Sequence, residues 1–341
     1  MKAYFLTKFG TPDAAFELRD VPVPEPKPNQ VLIRVEAFGL NFADVLARKG
    51  LYPEVPPRPC IIGYDVVGRV EAVGAEADPT LKGKRVTALT RFGGYAEYAA
   101  TDYRAVAPIP DDYPAEKAVA LGTQYTTARV CMAEHMRLRE GDRVLVHAAA
   151  GGVGIALCQM AVNAGAEVFG TAGSAEKLDF LRTLGVQHPV NYRESDYAEV
   201  IASKLDGARL DATFNSLAGK SVPKDLKLLG SGGKLIIFGA ASRVGKKGGL
   251  FSSIGMLLKT GFVSPISLIM RSKAVVGVNI LKLGDYKPAL VAEAMHAVAA
   301  QAAEGALDPV SGGKFSHTRL GEAHAALENR GTVGKLSVFW E

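Results

Sequence analysis

Short apolar runs with a period of two dominate the first third of the chain. Val31-Leu32-Ile33-Arg34-Val35 and Val66-Val67-Gly68-Arg69-Val70 are the clearest, and residues 1–120 around them are rich in Pro, Gly and Val. Runs of this kind bounded by turn residues predict β-strands in an antiparallel or barrel-like unit. From about residue 121 the pattern becomes apolar strand, Gly turn, Ala-rich helix, repeated. Arg143–Ala148, Glu167–Thr171, Asp211–Asn215 and Lys234–Phe238 are the expected strands, with helices over Ile155–Asn163 and Glu176–Leu184. Strands separated by helical stretches imply βαβ units and a parallel sheet. A helix over Lys287–Ala303 and a strand over Lys335–Phe339 follow, too few elements for another domain. The economical division is therefore a discontinuous first domain, 1–120 plus 284–341, interrupted by a doubly wound α/β domain, 121–283.

Composition narrows the class without changing that picture. The 341 residues are 48% hydrophobic and 22% charged, an ordinary balance for a globular enzyme of about two domains. A net charge of +5 suits an anionic cofactor, but it is small and no basic run accompanies it, so nucleic acid is not an expected partner. The first twenty residues carry no apolar core of signal-peptide length, and no stretch reaches 18 uninterrupted apolar residues. Cys60, Cys131 and Cys158 are too few for a disulfide framework and wrongly spaced for a zinc knuckle. A reduced, cytoplasmic protein is the expectation.

The most informative stretch is Val144-Leu145-Val146-His147-Ala148-Ala149-Ala150-Gly151-Gly152-Val153-Gly154. An apolar strand runs into a turn of residues with little side chain, and a helix opens from it. Such a turn lets the N–H groups of Ala150, Gly151, Gly152 and Val153 approach a pyrophosphate, helped by the helix dipole. The pattern Ala149-x-Gly151-x-x-Gly154 is a variant of the dinucleotide fingerprint, found in the strand–turn–helix setting the fingerprint requires. A Rossmann domain is thus expected. At the end of its second strand Gly170-Thr171-Ala172-Gly173-Ser174-Ala175-Glu176-Lys177 has no acid to hold free ribose hydroxyls. Gly173, Ser174, Lys177 and Tyr192 are the candidate binders of a 2′-phosphate, which points to NADPH. Glu176 is the discordant residue, although a helix start accounts for an acid there. Lys177 also reads as a solvated helix lysine, and Tyr192 as a cap on the third strand. Asn215 and Leu217 at the end of the strand 211–215, Phe238 and Gly239 at the end of 234–238, and Val278 and Asn279 in the last strand, 274–280, are further candidate cofactor contacts at the sheet's carboxyl edge. His147 reads as a satisfied core histidine or, less simply, an acid–base catalyst.

These residues carry a resemblance over nearly the whole chain. Gly141–Gln159 is similar to the quinone oxidoreductase signature, although its closing basic residue is replaced by Val162. Asn41-Phe42-Ala43-Asp44-Val45, Gly63-Tyr64-Asp65-Val66-Val67-Gly68 with Val73-Gly74, Phe92-Gly93-Gly94-Tyr95-Ala96-Glu97-Tyr98 and Gly334-Lys335 resemble motifs of the zinc-independent members of the medium-chain dehydrogenase/reductase superfamily. The insert after Gly239 looks most like the vesicle amine transport protein-1 branch. The resemblance implies a GroES-like β-barrel-type catalytic domain beside the Rossmann domain, and NADPH-dependent reduction of quinones or α,β-unsaturated carbonyls without zinc. Zinc alcohol dehydrogenases need Cys and His ligands, where this chain has Asn41 and Tyr64. The resemblance also carries Asn41, Tyr52 and Thr127 to the nicotinamide pocket as catalytic residues, and Lys335 to the cofactor.

Without a metal, an acceptor must be polarised by hydrogen-bond donors and held close to the nicotinamide. An amide, a phenol and a hydroxyl are neutral at pH 7 and suit that task. Tyr52 also reads as a packed loop aromatic, and Asn41 as a turn amide partnered by Asp44. The expected substrate is a small hydrophobic quinone or enone, with a 2-enoyl thioester as an alternative. Residues 243–273 mix apolar and basic side chains, which fits a lid, a substrate tunnel or a dimer contact. The less favoured alternative is a helix on an anionic membrane surface, and hence a lipid-binding protein that keeps the reductase fold. A homodimer is expected through 274–280, a β-branched run that would otherwise be an open sheet edge.

Overall fold

The computed structural model describes residues 1–241 and 263–340. Most of the insert at 243–273 therefore lies outside the described residues. The chain divides into two units, Met1–Thr126 with Ile280–Glu341, and Thr127–Asn279. The boundaries fall at 126/127 and 279/280, against the 120/121 and 283/284 read from sequence.

In the first unit the alternating runs become long paired strands. Gln30–Leu40 is its spine. It pairs antiparallel with Asp65–Val73 along most of its length, and on its other side with Tyr98–Asp102 and Lys335–Phe339. Arg85–Leu89, Val106–Pro108 and Ser311–Ser316 extend the sheet outward. A smaller sheet joins Phe16–Asp20, Lys2–Leu6 and Cys60–Ile61. Side chains from these strands meet in one core around Val31, Ile33, Phe38, Val66, Leu336 and Val338, joined by Tyr95 from the loop before Tyr98–Asp102. The helix Leu320–Glu328 closes on that core through Leu320 and Ala323. This is the GroES-like half of a two-part α/β architecture.

Among the described residues the second unit is built on a six-stranded, wholly parallel sheet. Its order is His188–Asn191, Glu167–Ala172, Arg143–Val146, Leu210–Asn215, Leu229–Ile237, Ala274–Gly277. Leu145, Phe169, Val190, Leu210 and Leu235 from five of these strands pack with Ile201 and Leu205 of the helix Tyr197–Leu205. Strands so covered read as continuous apolar runs rather than alternating ones. The chain leaves Arg143–Val146 in one direction and later returns on its other side, which creates the switch point where doubly wound sheets bind ligands.

Two element boundaries differ from the sequence reading. The helix expected from Ile155 begins at Gly152, inside the Gly-rich turn. The strand expected over 274–280 stops at Gly277, because its neighbour ends at Ile237, and Ile280 already starts the helix Ile280–Tyr286. Val278 keeps one bond to the sheet, donating its N–H to Ile237 O at 2.8 Å.

Candidate active site

The Gly-rich turn is shaped by what stands behind it. His147 lies just past the end of Arg143–Val146, and Ala148 follows with φ 49°. The Gly151 N–H then donates to Ala148 O at 2.9 Å, and Gly152–Asn163 starts. Gly154 packs so tightly that a Cβ there would collide with the Ala148 carbonyl and sit 2.8 Å from Ala149 Cα. No acid occupies the first helical turn, so its orphan N–H groups and positive dipole end face out of the turn unopposed. Ala149 and Ala150 are buried, while Gly151, Gly152 and Val153 retain exposure. The cradle fits a pyrophosphate.

A buried polar network supports it. His147 Nε2 lies 3.0 Å from both oxygens of Asp225, which also accepts from Tyr197 Oη at 2.8 Å and Asn215 Nδ2 at 2.6 Å. Every one of these polar groups is paired, as burial demands. His147 is thus a satisfied core residue, closing one alternative. Asn215 is a correction to its expected place among the cofactor binders. Its Nδ2 serves Asp225 and Ser221, and its Oδ1 accepts from the N–H groups of Leu217 and Ala218 at 2.8 Å each. With no exposed surface, it shapes the 215–219 loop instead of reaching a ligand. Leu217, Phe238 and Gly239 stay partly accessible, and a Cβ on Gly239 would come within 2.8 Å of Ser216 O. Val278 is buried and Asn279 exposed at the same carboxyl edge.

At the end of the second strand, Gly173 and Ser174 lead into the helix Ala175–Thr183, with Ser174 as its N-cap. Tyr192 folds back from the end of the third strand: a Cβ on Gly173 would lie 2.6 Å from its phenol oxygen and 3.2 Å from Arg193 Nε. Lys177 is held below the usual lysine range by burial and then by the nearby Arg193 cation. Glu176, the discordant acid, is exposed and accepts a hydrogen bond from Ser174 that keeps its carboxyl below the usual range. Two cations, a phenol and a glycine therefore share one patch, fitted to a doubly charged anion. Arg193 was missed from sequence, although its place directly after Tyr192 was a usable signal.

In the first unit, Asn41 caps the helix Phe42–Arg48, and Asp44 Oδ2 accepts from its backbone N–H at 2.7 Å. Asn41 Nδ2 donates to Asp65 Oδ2 at 3.1 Å, while Lys335 Nζ donates to Asn41 Oδ1 at 2.9 Å and to Asp65 Oδ2 at 2.6 Å. Asp65 and Lys335 have no exposed surface. Lys335 is therefore a second correction: its ammonium is enclosed and bound to protein oxygens, not free for a cofactor. Burial raises the Asp44 carboxyl well above the usual carboxylate range, and lowers Lys335 against the opposing pull of Asp65.

Aromatic rings line the neighbouring space. Tyr52 and Tyr64 meet edge to face with centroids 6.0 Å apart, and Phe92 lies 5.3 Å from Tyr64. Burial pushes the Tyr52 phenol up to about 12, with Glu54 adding and Arg91 opposing. Burial also raises Tyr64, whose buried oxygen has no partner among the described residues. Arg91 ties the Tyr52 loop down through Glu54 at 3.0 Å and Asp285 at 2.8 Å. Thr127 is buried at the start of the second unit, in the helix Thr126–Ala133. Among the described residues no cluster of three His, Cys, Asp or Glu side chains is placed to hold a metal ion.

With this geometry in place, two family models match: the alcohol dehydrogenase GroES-like domain over residues 27–111 and the zinc-binding dehydrogenase over 152–296. The quinone oxidoreductase of Pongo abelii is 32% identical over 338 residues, covering 98% of this chain and 97% of that protein. The chain belongs to the quinone oxidoreductase and VAT-1-like family of medium-chain dehydrogenases/reductases. The synaptic vesicle membrane protein VAT-1 homolog of Danio rerio is 34% identical over 342 residues, covering all of this chain and 70% of that one. Crystal structures of the quinone oxidoreductase from Thermus thermophilus, one a complex with NADPH, superpose with a TM-score of 0.79 at 32% identity, covering 99% and 100% of the two chains. In this quinone oxidoreductase family member the GroES-like match contains Asn41, Tyr52 and Tyr64, and the second match opens at Gly152, the first helical residue of the Gly-rich turn. No described helix is long and apolar enough to cross a membrane.

Proposed function

We propose that this family member is an NADPH-dependent reductase that delivers a hydride to quinones or α,β-unsaturated carbonyls without zinc. The observation that carries the cofactor choice is the patch of Gly173, Ser174, Lys177, Tyr192 and Arg193, where two cations converge and the discordant acid, Glu176, is engaged by Ser174. That chemistry matches a 2′-phosphate, and the NADPH complex of the Thermus relative supports it. The N–H groups of Ala150, Gly151, Gly152 and Val153 would hold the pyrophosphate. Leu217, Phe238, Gly239, Val278 and Asn279 would line the remainder. Bound NADPH supplies the hydride.

The protein's part is to hold and polarise the acceptor. Asn41, Tyr52 and Thr127 are neutral groups, and Tyr52 keeps its proton across the physiological range because burial lifts its phenol to about 12. Each can donate to the oxygen on which charge develops. The zinc-free reading rests on donor chemistry. The Asn41 amide is engaged by Lys335 and Asp65, and Tyr64 is a phenol held protonated by burial, so neither offers the S or N ligand zinc prefers.

Turnover of 9,10-phenanthrenequinone, simple enones and 2-enoyl thioesters, each with NADPH and with NADH, tests this reading. Reduction of quinone or enone with NADPH preferred is the expected result. Thioester turnover alone would reassign the substrate, and absence of turnover together with binding to acidic liposomes would favour a lipid-binding protein.

A further inference from the structure

We infer that Asp65 and Lys335 are positioning residues that lock the Asn41 side-chain amide in one of its two orientations, with an N–H left to serve an acceptor. The inference rests on the reading of Asn41 as a donor to substrate.

The amide of an asparagine is nearly symmetric in shape, so its direction is set by its partners. Here both partners are single-minded. An ammonium can only donate, so the Asn41 atom 2.9 Å from Lys335 Nζ is the carbonyl oxygen. An ionised carboxylate can only accept, so the atom 3.1 Å from Asp65 Oδ2 is the amide nitrogen. Lys335 and Asp65 hold each other at 2.6 Å with no exposed surface, so the pair cannot separate into water. Reversing the amide would set NH₂ against an ammonium and an oxygen against a carboxylate. Asn41 Nδ2 carries a second hydrogen, for which no acceptor stands among the described residues. That N–H is the free donor the lock presents.

The surrounding backbone makes room for the pair. A Cβ on Gly39 would overlap the end of the Lys335 side chain and an Asp65 oxygen, and one on Gly122 would lie 3.0 Å from Asp65 Cβ. Glycine on two sides makes room for the ion pair beside the strand that ends at Leu40, one residue before Asn41. The role also explains an otherwise costly feature, since a buried ion pair adds little net stability over apolar residues of the same size.

A double-mutant cycle tests the lock, read as kcat with NADPH and 9,10-phenanthrenequinone. Lys335→Met should lower kcat by about tenfold or more in the wild-type background, as expected when an oxyanion donor is misdirected. In an Asn41→Ala background the same change should cost less than about twofold, because nothing remains to orient. Lys335→Arg, which keeps a buried donor, should restore most of the turnover. Equal losses in both backgrounds would show a purely structural pair and overturn the lock while leaving the Asn41 reading intact. Full turnover by Asn41→Ala alone would overturn the Asn41 reading, and the lock with it. Should Lys335→Met not fold with its uncompensated Asp65 charge, the neutral pair Asp65→Asn with Lys335→Gln carries the same cycle.

Discussion

The phenol oxygen of Tyr192 lies where a side chain on Gly173 would go, 2.6 Å from an added Cβ. The end of the second strand and the residue after the third thus share one small surface, and only glycine permits it. Gly173→Ala should push the phenol outward and raise the KM for NADPH several-fold, with little change for NADH. Steady-state titration of both cofactors checks this, and equal effects on the two would show that Tyr192 does not discriminate between them.

Cofactor preference should be set mainly by the two cations. A charge-assisted hydrogen bond contributes about 1.5–3 kcal/mol, and each 1.4 kcal/mol is tenfold, so one or two contacts predict roughly 10- to 1000-fold preference for NADPH. Lys177→Ala and Arg193→Ala should each raise the NADPH KM strongly and leave NADH almost unaltered. A wild type that prefers NADH would make Glu176 the controlling residue.

Metal removal should leave the enzyme active. Exhaustive dialysis against a chelator, followed by elemental analysis and assay, is expected to give unchanged kcat. Near-stoichiometric zinc whose removal abolishes turnover would contradict the donor argument built on Asn41 and Tyr64.

Among the described residues the strand Ala274–Gly277 pairs on one side only and stands at the sheet edge. The helix Pro265–Arg271 leading into it exposes Ile266, Ile269 and Met270 at 72%, 76% and 80%. An open edge of this kind is normally covered. A homodimer through it is predicted, and Val276→Lys should shift the light-scattering mass to that of a monomer. A wild-type monomer at micromolar concentration would rule the interface out.

His324 gives a pH prediction. It is fully buried against Phe16 and Tyr95, and burial, then Arg48, pulls it down to about 3. Above about pH 6.5 the ring is neutral in both folded and unfolded chains and the folded state keeps its full stability. As pH falls from there towards 3, only the unfolded chain takes up the proton, so stability drops by up to about 1.4 kcal/mol per pH unit. Denaturant unfolding between pH 7 and 5.5 should show this slope in wild type and a flatter one in His324→Gln. An equal slope would assign the effect elsewhere.

Much of the architecture is written in local periodicity. Val31–Val35 and Val66–Val70 read as strands because their alternation matches the pleat, and the turn at Ala149–Gly154 reads as a cradle because little else tolerates that packing. What escaped has physical reasons. Glycine lowers helix propensity, so the start at Gly152 was hidden by the residues that make the turn useful. Val278 and Ile280 prolong a β-branched run past the point where the partner strand ends. Asn215 and Lys335 read from sequence as cofactor contacts, but their side chains turn to Asp225 and Asp65. No local pattern reports a partner 10 or 270 positions away.

The bond between Lys335 and Asn41 spans 294 positions of sequence. At roughly 5–20 residues per second of synthesis, Asn41 leaves the ribosome on the order of 15–60 s before its partner exists. The Gly-rich turn and the strands of its sheet, the last ending at Gly277, are all made inside that interval, while Asp65 waits as an unmatched carboxylate. The nascent chain should therefore acquire dinucleotide affinity before it acquires full turnover, and an arrested chain that ends between Asn279 and Lys335 would bind cofactor while reducing substrate far more slowly than the finished protein.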